Sequence, residues 1–126
     1  MSASSEHWAN QARYDFDKAR AMFDSGRYLY VLFCCQQTVE KMLKSIIARH
    51  TRELPPRIHQ LSRLAEVAGL EPDENRAGFL RELSAYYIQS RYPEEIANLA
   101  SQVKKQEAKL VLDQTQEVLQ WLNSMP

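Results

Sequence analysis

The sequence predicts an all-α protein, an up-and-down antiparallel bundle of four long helices plus one short helix. Glycine and proline are few, at 3 and 5 of 126 residues, and no run alternates apolar and polar residues as a half-buried strand does. Charged residues are spread along helical periods, and the breaks between periodic segments are short, which makes successive helices antiparallel neighbours. The length fits one domain, residues 1–126 with a core of about 6–122, and no repeat or linker divides it.

Ser4 or Ser5 is placed to cap the first helix, with Glu6 in its first turn. Trp8, Ala12, Phe16, Ala19, Met22 and Phe23 form its apolar stripe, and Gly26 ends it. Asp15 falls inside that stripe, where a lone carboxylate is costly to bury. It is read as a rim carboxylate reaching water or a cation, with a ligand-binding role as the alternative.

The second helix runs from about Arg27 to His50, with a core line of Tyr28, Val31, Leu32, Cys35, Val39, Met42, Leu43 and Ile46. Leu29, Phe33 and Ile47 widen the apolar arc, so this helix is expected at the centre. Gln36 and Glu40 share the flank of Leu29 and Ile47. Glu40 and Lys44 have the favourable i, i+4 order, contributing about 0.2–0.5 kcal/mol as a solvated pair; the three polar residues are also candidate ligand contacts. Cys34 and Cys35 are helix neighbours pointing about 100° apart, which argues against a disulfide between them. No further Cys or His sits nearby at metal-ligand spacing, so both are read as reduced thiols of a cytoplasmic protein.

Pro55-Pro56 breaks the helix. His59, Leu61, Leu64, Ala65 and Ala68 then predict a short helix stopped by Gly69. His59 is read as a cap or packing residue, or else as a general base, the usual work of an imidazole. From Lys41 to Arg63 the basic residues (Lys41, Lys44, Arg49, Arg52, Arg57, Arg63) outnumber the single acid of the connection, Glu53, giving a positive region that is either solvated or attractive to phosphate.

Asp73 or Asn75 can cap the fourth helix. Leu80, Leu83 and Tyr87 continue its apolar face, and Arg91 falls near the angle of Leu80 in what reads as its last turn, closed by Pro93. An arginine there has five donors and a permanent charge; the alternative role is to complement the carbonyl end of the helix dipole. The last helix starts either at Glu94-Glu95 or after a Ser101 cap, and carries Val103, Leu110, Val111, Gln114, Val118 and Trp121 on its inner side.

Lys and Arg number 16, as do Asp and Glu, so no bulk charge draws the chain to nucleic acid or to a membrane. No apolar run approaches the roughly 20 residues that span a bilayer, and MSASSEHW is not a secretory signal. No cofactor or metal is expected.

Trp8 with Ala12 and Asp15, Gly26-Arg27-Tyr28, Gln36 to Ile47, His59 to Leu64, and Ser90-Arg91-Tyr92-Pro93 occur in the order of a known family. On these segments the chain resembles the HEPN family over roughly Glu6 to Leu122, and its Arg-Tyr-Pro sequence resembles one subgroup. The resemblance implies a helical bundle that commonly forms homodimers with polar residues near the dimer cleft. Many members are metal-independent ribonucleases or toxins, often encoded beside a minimal nucleotidyltransferase partner, and others bind nucleotides. The nuclease signature is an arginine followed by a histidine after four to six intervening residues. Arg91 carries over as the arginine, while the histidine positions hold Ile96, Ala97 and Asn98. Asn98 has no proton to exchange near neutral pH but can orient a phosphate.

Three functional expectations follow. The first is a nucleotide- or RNA-binding module, one half of a toxin–antitoxin-like pair with a nucleotidyltransferase, with Arg91 on phosphate at a dimer cleft and Tyr87 or Tyr92 stacking a base. The second is a ribonuclease in which His59 transfers the proton and Arg91 stabilises the phosphorane. The third is a structural, dimerising adaptor.

Overall fold

The computed structural model describes residues 3–51, 53–88 and 91–125; Arg52 and Ser90, named above, lie outside them. Among the described residues six α-helices follow one another: α1 Ala3–Asp24, α2 Tyr28–Thr51, α3 Leu61–Val67, α4 Glu74–Ser84, α5 Pro93–Gln102 and α6 Lys105–Asn123. No strand occurs among the described residues, so the all-α class holds, with one more helix than the periodicity predicts.

The wide apolar arc of α2 gives it the central place. It packs against each of the other five helices, and it buries Leu29, Val31, Leu32, Cys35, Val39, Leu43, Ile46 and Ile47. Cys34 and Cys35 are buried free thiols; burial pushes the Cys35 thiol up to about 12, with the adjacent Thr115 hydroxyl opposing the shift. From α1 come Ala12, Phe16 and Ala19, and from α6 Ala108, Val118 and Leu122.

Ser5 is not a cap. It lies within α1, fully buried, where its hydroxyl and that of Ser45 in α2 are 3.0 Å apart and Ser45 Oγ donates to the Ser5 carbonyl at 2.8 Å. The contact replaces water around two hydroxyls that helix packing has enclosed. Gly26, at φ 79°, closes α1 as the sequence requires: Gly26 N–H donates to Phe23 O and Arg27 N–H to Met22 O, the paired bonds of a left-handed helix stop. Gly69 repeats the arrangement after α3.

The main correction concerns the fourth helix, which ends at Ser84 instead of running to Arg91. Ser84 Oγ accepts from Leu61 N–H at 2.9 Å, so the residue that closes α4 also satisfies the first turn of α3. The chain then turns through Ala85 and Tyr86. Pro93 starts a helix instead of only stopping one: it occupies the first helical position of α5, where no N–H is needed, and Glu95 accepts from Tyr92 N–H at 3.4 Å. Ser101 caps nothing, since it lies in the last turn of α5 and donates to Asn98 O. An extended, buried Val103 separates α5 from α6. Leu110 is also displaced from its expected place; it is 59% exposed, and Ala108, Thr115 and Leu122 take the inner line.

Candidate functional site: a histidine–arginine cleft

Residues 36, 40 and 44 stand one turn apart on α2 and so share a face. Contrary to the expectation of a solvated pair, Glu40 and Lys44 are buried, at 3% and 6% exposure, and 3.1 Å apart. The chain following Pro55-Pro56 covers this flank, with Gln36 Nε2 donating to the His59 carbonyl at 3.1 Å. Burying a carboxylate requires that its lone pairs be met. Gln36 Nε2 donates to Glu40 Oε1 at 3.0 Å, Lys44 Nζ to Oε2, and His59 Nδ1 lies 3.1 Å from both oxygens. Lys44 Nζ also sits 5.4 Å from the centre of the Trp8 ring, a cation–π contact that substitutes for part of its lost hydration.

An ionised carboxylate only accepts, so His59 Nδ1 must be the donor, which leaves Nε2 as the open nitrogen of the neutral ring. The His59 ring stacks on Tyr87, centroids 3.9 Å apart and 13° from parallel, and Tyr87 leans on Phe33. Burial, and after it the charge of Glu40, pushes the Tyr87 phenol up. One face of Tyr87 is thus already covered by the imidazole.

His59, Gln60, Tyr87, Arg81, Arg91 and Glu95 line an open cleft of about 560 Å³, together with Ser84 and Ala85. The turn after Ser84 brings Arg91 back over the end of α4. Its Nη2 donates to Ala85 O at 2.7 Å and its Nη1 lies 3.5 Å from Glu95, with the side chain 29% exposed. Arg91 therefore does complement an open helix carbonyl, but of a helix that has already ended. Arg81 projects from α4, 3.8 Å from Glu74 and largely exposed. The cleft thus combines two guanidinium groups with an oriented imidazole, a set suited to an anion and to proton transfer.

His59, Tyr87 and Arg91 are brought together, and Gln36, Glu40 and Lys44 support them from beneath. Tyr92 is 77% exposed at the start of α5 and does not line the cleft. Asn98 lies further along the exposed side of α5. Asp15 belongs elsewhere: it is buried on α1 and paired with Lys41 Nζ at 2.6 Å, so the neighbouring-cation reading is the one realised. Sequence reasoning missed Arg81 and the Glu95 pairing, because both depend on the chain reversal after Ser84. Among the described residues no group of three His, Cys, Asp or Glu side chains is arranged to hold a metal ion, and no helix is long and apolar enough to cross a membrane.

Comparison with known proteins adds three findings. A family model described as HEPN domain matches residues 5–125. The crystal structure of TT1696 from Thermus thermophilus is similar, with a TM-score of 0.78 and 26% identity, covering 97% of this chain and 98% of that one. The structure of ST0689, an archaeal HEPN homologue, has the same fold, with a TM-score of 0.77 and 21% identity over 97% of each chain. No curated protein matches.

Proposed function

The chain belongs to the HEPN domain family, and we propose that it is a nucleotide- or RNA-binding module that holds phosphate in the His59–Arg91 cleft. One observation supports this above others: Arg91, Arg81 and His59, distant in sequence, line a single open cleft. Arg91 already spends one donor on Ala85 O, which fixes its direction, while Glu95 holds another only at 3.5 Å and is itself exposed. A phosphate oxygen competes for that donor at little cost, since exposed ion pairs contribute only about 0–1 kcal/mol. The exposed Tyr92 ring is the better base-stacking candidate, because Tyr87 is engaged with His59. The family resemblance supports a homodimer and, as physiological partner, a minimal nucleotidyltransferase in a toxin–antitoxin-like pair.

Calorimetric titration of wild type and Arg91→Ala with mononucleotides and short RNAs tests the reading. A charge-assisted hydrogen bond is worth about 1.5–3 kcal/mol, so the substitution is expected to weaken binding about 10- to 150-fold. Equal affinity for both proteins removes Arg91 from the site.

A second reading, RNA cleavage, is favoured by one feature that a binding module does not need: Glu40 fixes His59 so that Nε2 is the open nitrogen. In that reaction Nε2 takes the 2′-hydroxyl proton and the oxygen attacks phosphorus. The bond to the 5′ oxygen breaks with a proton supplied by water, and Arg91 faces the charge of the phosphorane. A pH–rate profile whose basic-group limb disappears in His59→Ala supports it; cleavage that survives both His59→Ala and Arg91→Ala excludes it.

A further inference from the structure

His59 Nδ1 lies 3.1 Å from both oxygens of the buried Glu40 carboxylate, so the inner edge of the ring is committed. The side chain is partly exposed, and with Nδ1 turned inward the edge that meets the cleft is the one carrying Nε2. On the neutral ring Nε2 has a lone pair and no proton. A phosphate oxygen is itself an acceptor, so the two meet favourably only with a proton between them. Phosphates differ in whether they can share one. A phosphodiester has a single negative charge and binds no proton at working pH. A phosphate monoester carries about −1.5 to −2 charges at neutral pH, with a second pKa of about 6. That value falls inside the range of roughly 5 to 8 over which imidazoles change charge. A proton brought by the acid form of the monoester, or taken from solvent, is therefore shared between ring and oxygen at little cost.

The charges around the ring favour the same choice. On α2 the Glu40 carboxylate and the Lys44 ammonium offset each other. In the lining, Arg81 of α4 and Arg91 of the following connection stand against Glu95 of α5, while Glu74, 3.8 Å from Arg81, lies outside it. Burial, and after it the charge of Glu40, pushes the Tyr87 phenol up, so it stays neutral. The lining thus carries one net positive charge with the imidazole neutral and two with it protonated. The second state matches a dianion. Arg91 uses two of its five N–H groups, one on Ala85 O and one, at 3.5 Å, on Glu95, which leaves donors for a ligand. A monoester has three terminal oxygens to meet Arg91, Arg81 and His59, where a diester has two.

We infer that the His59–Arg91 cleft selects a terminal phosphate, the monoester group of a mononucleotide or of a phosphorylated RNA end, with one proton held between His59 Nε2 and a phosphate oxygen. The inference rests on the proposed binding of phosphate in this cleft and goes beyond it in setting the monoester above the internal diester of an RNA chain.

The test is calorimetric titration of the full chain with adenosine 5′-monophosphate and with its 5′-methyl ester, which differs only in turning the monoester into a diester. At about pH 7 the monoester is expected to bind about tenfold more tightly, the worth of one charge-assisted hydrogen bond. The advantage should narrow toward about pH 5, where the monoester gains its second proton and carries the charge of the diester. Titrations at about pH 7 in two buffers of different ionisation heat read the proton itself. Net uptake with the monoester is expected in wild type and is lost in His59→Asn, whose amide keeps a donor for Glu40 but places nothing at the Nε2 position. A short RNA with and without a 5′ phosphate separates the two sources: a phosphorylated end that binds more tightly than the mononucleotide assigns RNA, and the reverse assigns the free nucleotide. Equal wild-type affinity for monoester and methyl ester, with both weakened by Arg91→Ala, overturns the inference and leaves the proposed function standing. A monoester advantage undiminished in His59→Asn overturns it as well. Affinities untouched by Arg91→Ala remove the proposed function instead, and the inference with it.

Discussion

Glu40 is enclosed by an amide, an ammonium and an imidazole, supplied by Gln36, Lys44 and His59. Removing the charge of one member of such a group is more damaging than removing both charges, because the survivor stays buried without its counter-charge. Glu40→Gln is therefore expected to lower unfolding free energy by about 3–5 kcal/mol. Adding Lys44→Met should recover most of that loss, measured by urea denaturation of the single and double variants. The buried thiol of Cys35 gives a pH signature of a different kind. Its folded pKa of about 12 lies above the ordinary 9.0 of the unfolded chain, so between those values the unfolded state releases its proton first. The stability that this thiol contributes is complete below about pH 9 and is lost as pH rises toward 12. Urea midpoints between pH 8 and 11 should fall less steeply in Cys35→Ala than in wild type.

The helices differ in how their ends are specified, and this decides which of them can be read from the residues. α1 and α3 stop at Gly26 and Gly69, where positive φ is needed and only glycine adopts it freely. α4 starts on Asp73, whose Oδ1 accepts from Arg76 N–H at 2.9 Å. Asp73→Ala is expected to cost about 1 kcal/mol, read as a shift in thermal midpoint with the helix content of the folded state unchanged. These ends are local and were legible. The end of α4 is not local: Leu80, Leu83 and Tyr87 keep helical spacing past Ser84, and the helix ends where Ser84 turns its hydroxyl to Leu61 N–H, twenty-three residues away in sequence. The same holds for the break at Val103, an apolar residue of high β propensity that the core takes in extended form. The candidate site was legible in its parts, with His59, Arg91, Glu40 and Lys44 all marked by residue type and spacing. Its assembly was not, because the burial of Glu40 and the closeness of Arg91 to His59 both depend on segments folding over α2 and α4.

Across the whole molecule, opposite charges cancel at 16 each, so association with RNA has no long-range basic field to drive it. On the proposed function, the affinity of the His59–Arg91 cleft comes from its two guanidinium groups. With Arg81 and Arg91 as the phosphate contacts, Z is about 2, and the logarithm of the RNA association constant should fall with the logarithm of salt concentration at a slope of about −1.4 per protomer. A much steeper slope, measured by fluorescence anisotropy between 50 and 200 mM salt (roughly the range over which such slopes are read), would mean a broader basic surface than this cleft. α5 stands apart from the rest of this architecture. It begins at a proline, ends at an extended valine, and has no fully buried residue of its own, with only Ile96 and Leu99 resting against the core. Local opening is cheapest where so little apolar contact must be undone. Its backbone amides are therefore expected to exchange with deuterated solvent well before those of α2, as read by hydrogen–deuterium exchange. Because Glu95 rides on this segment, such an opening is expected to take the carboxylate away from Arg91 and leave that guanidinium to whatever anion is in the solution.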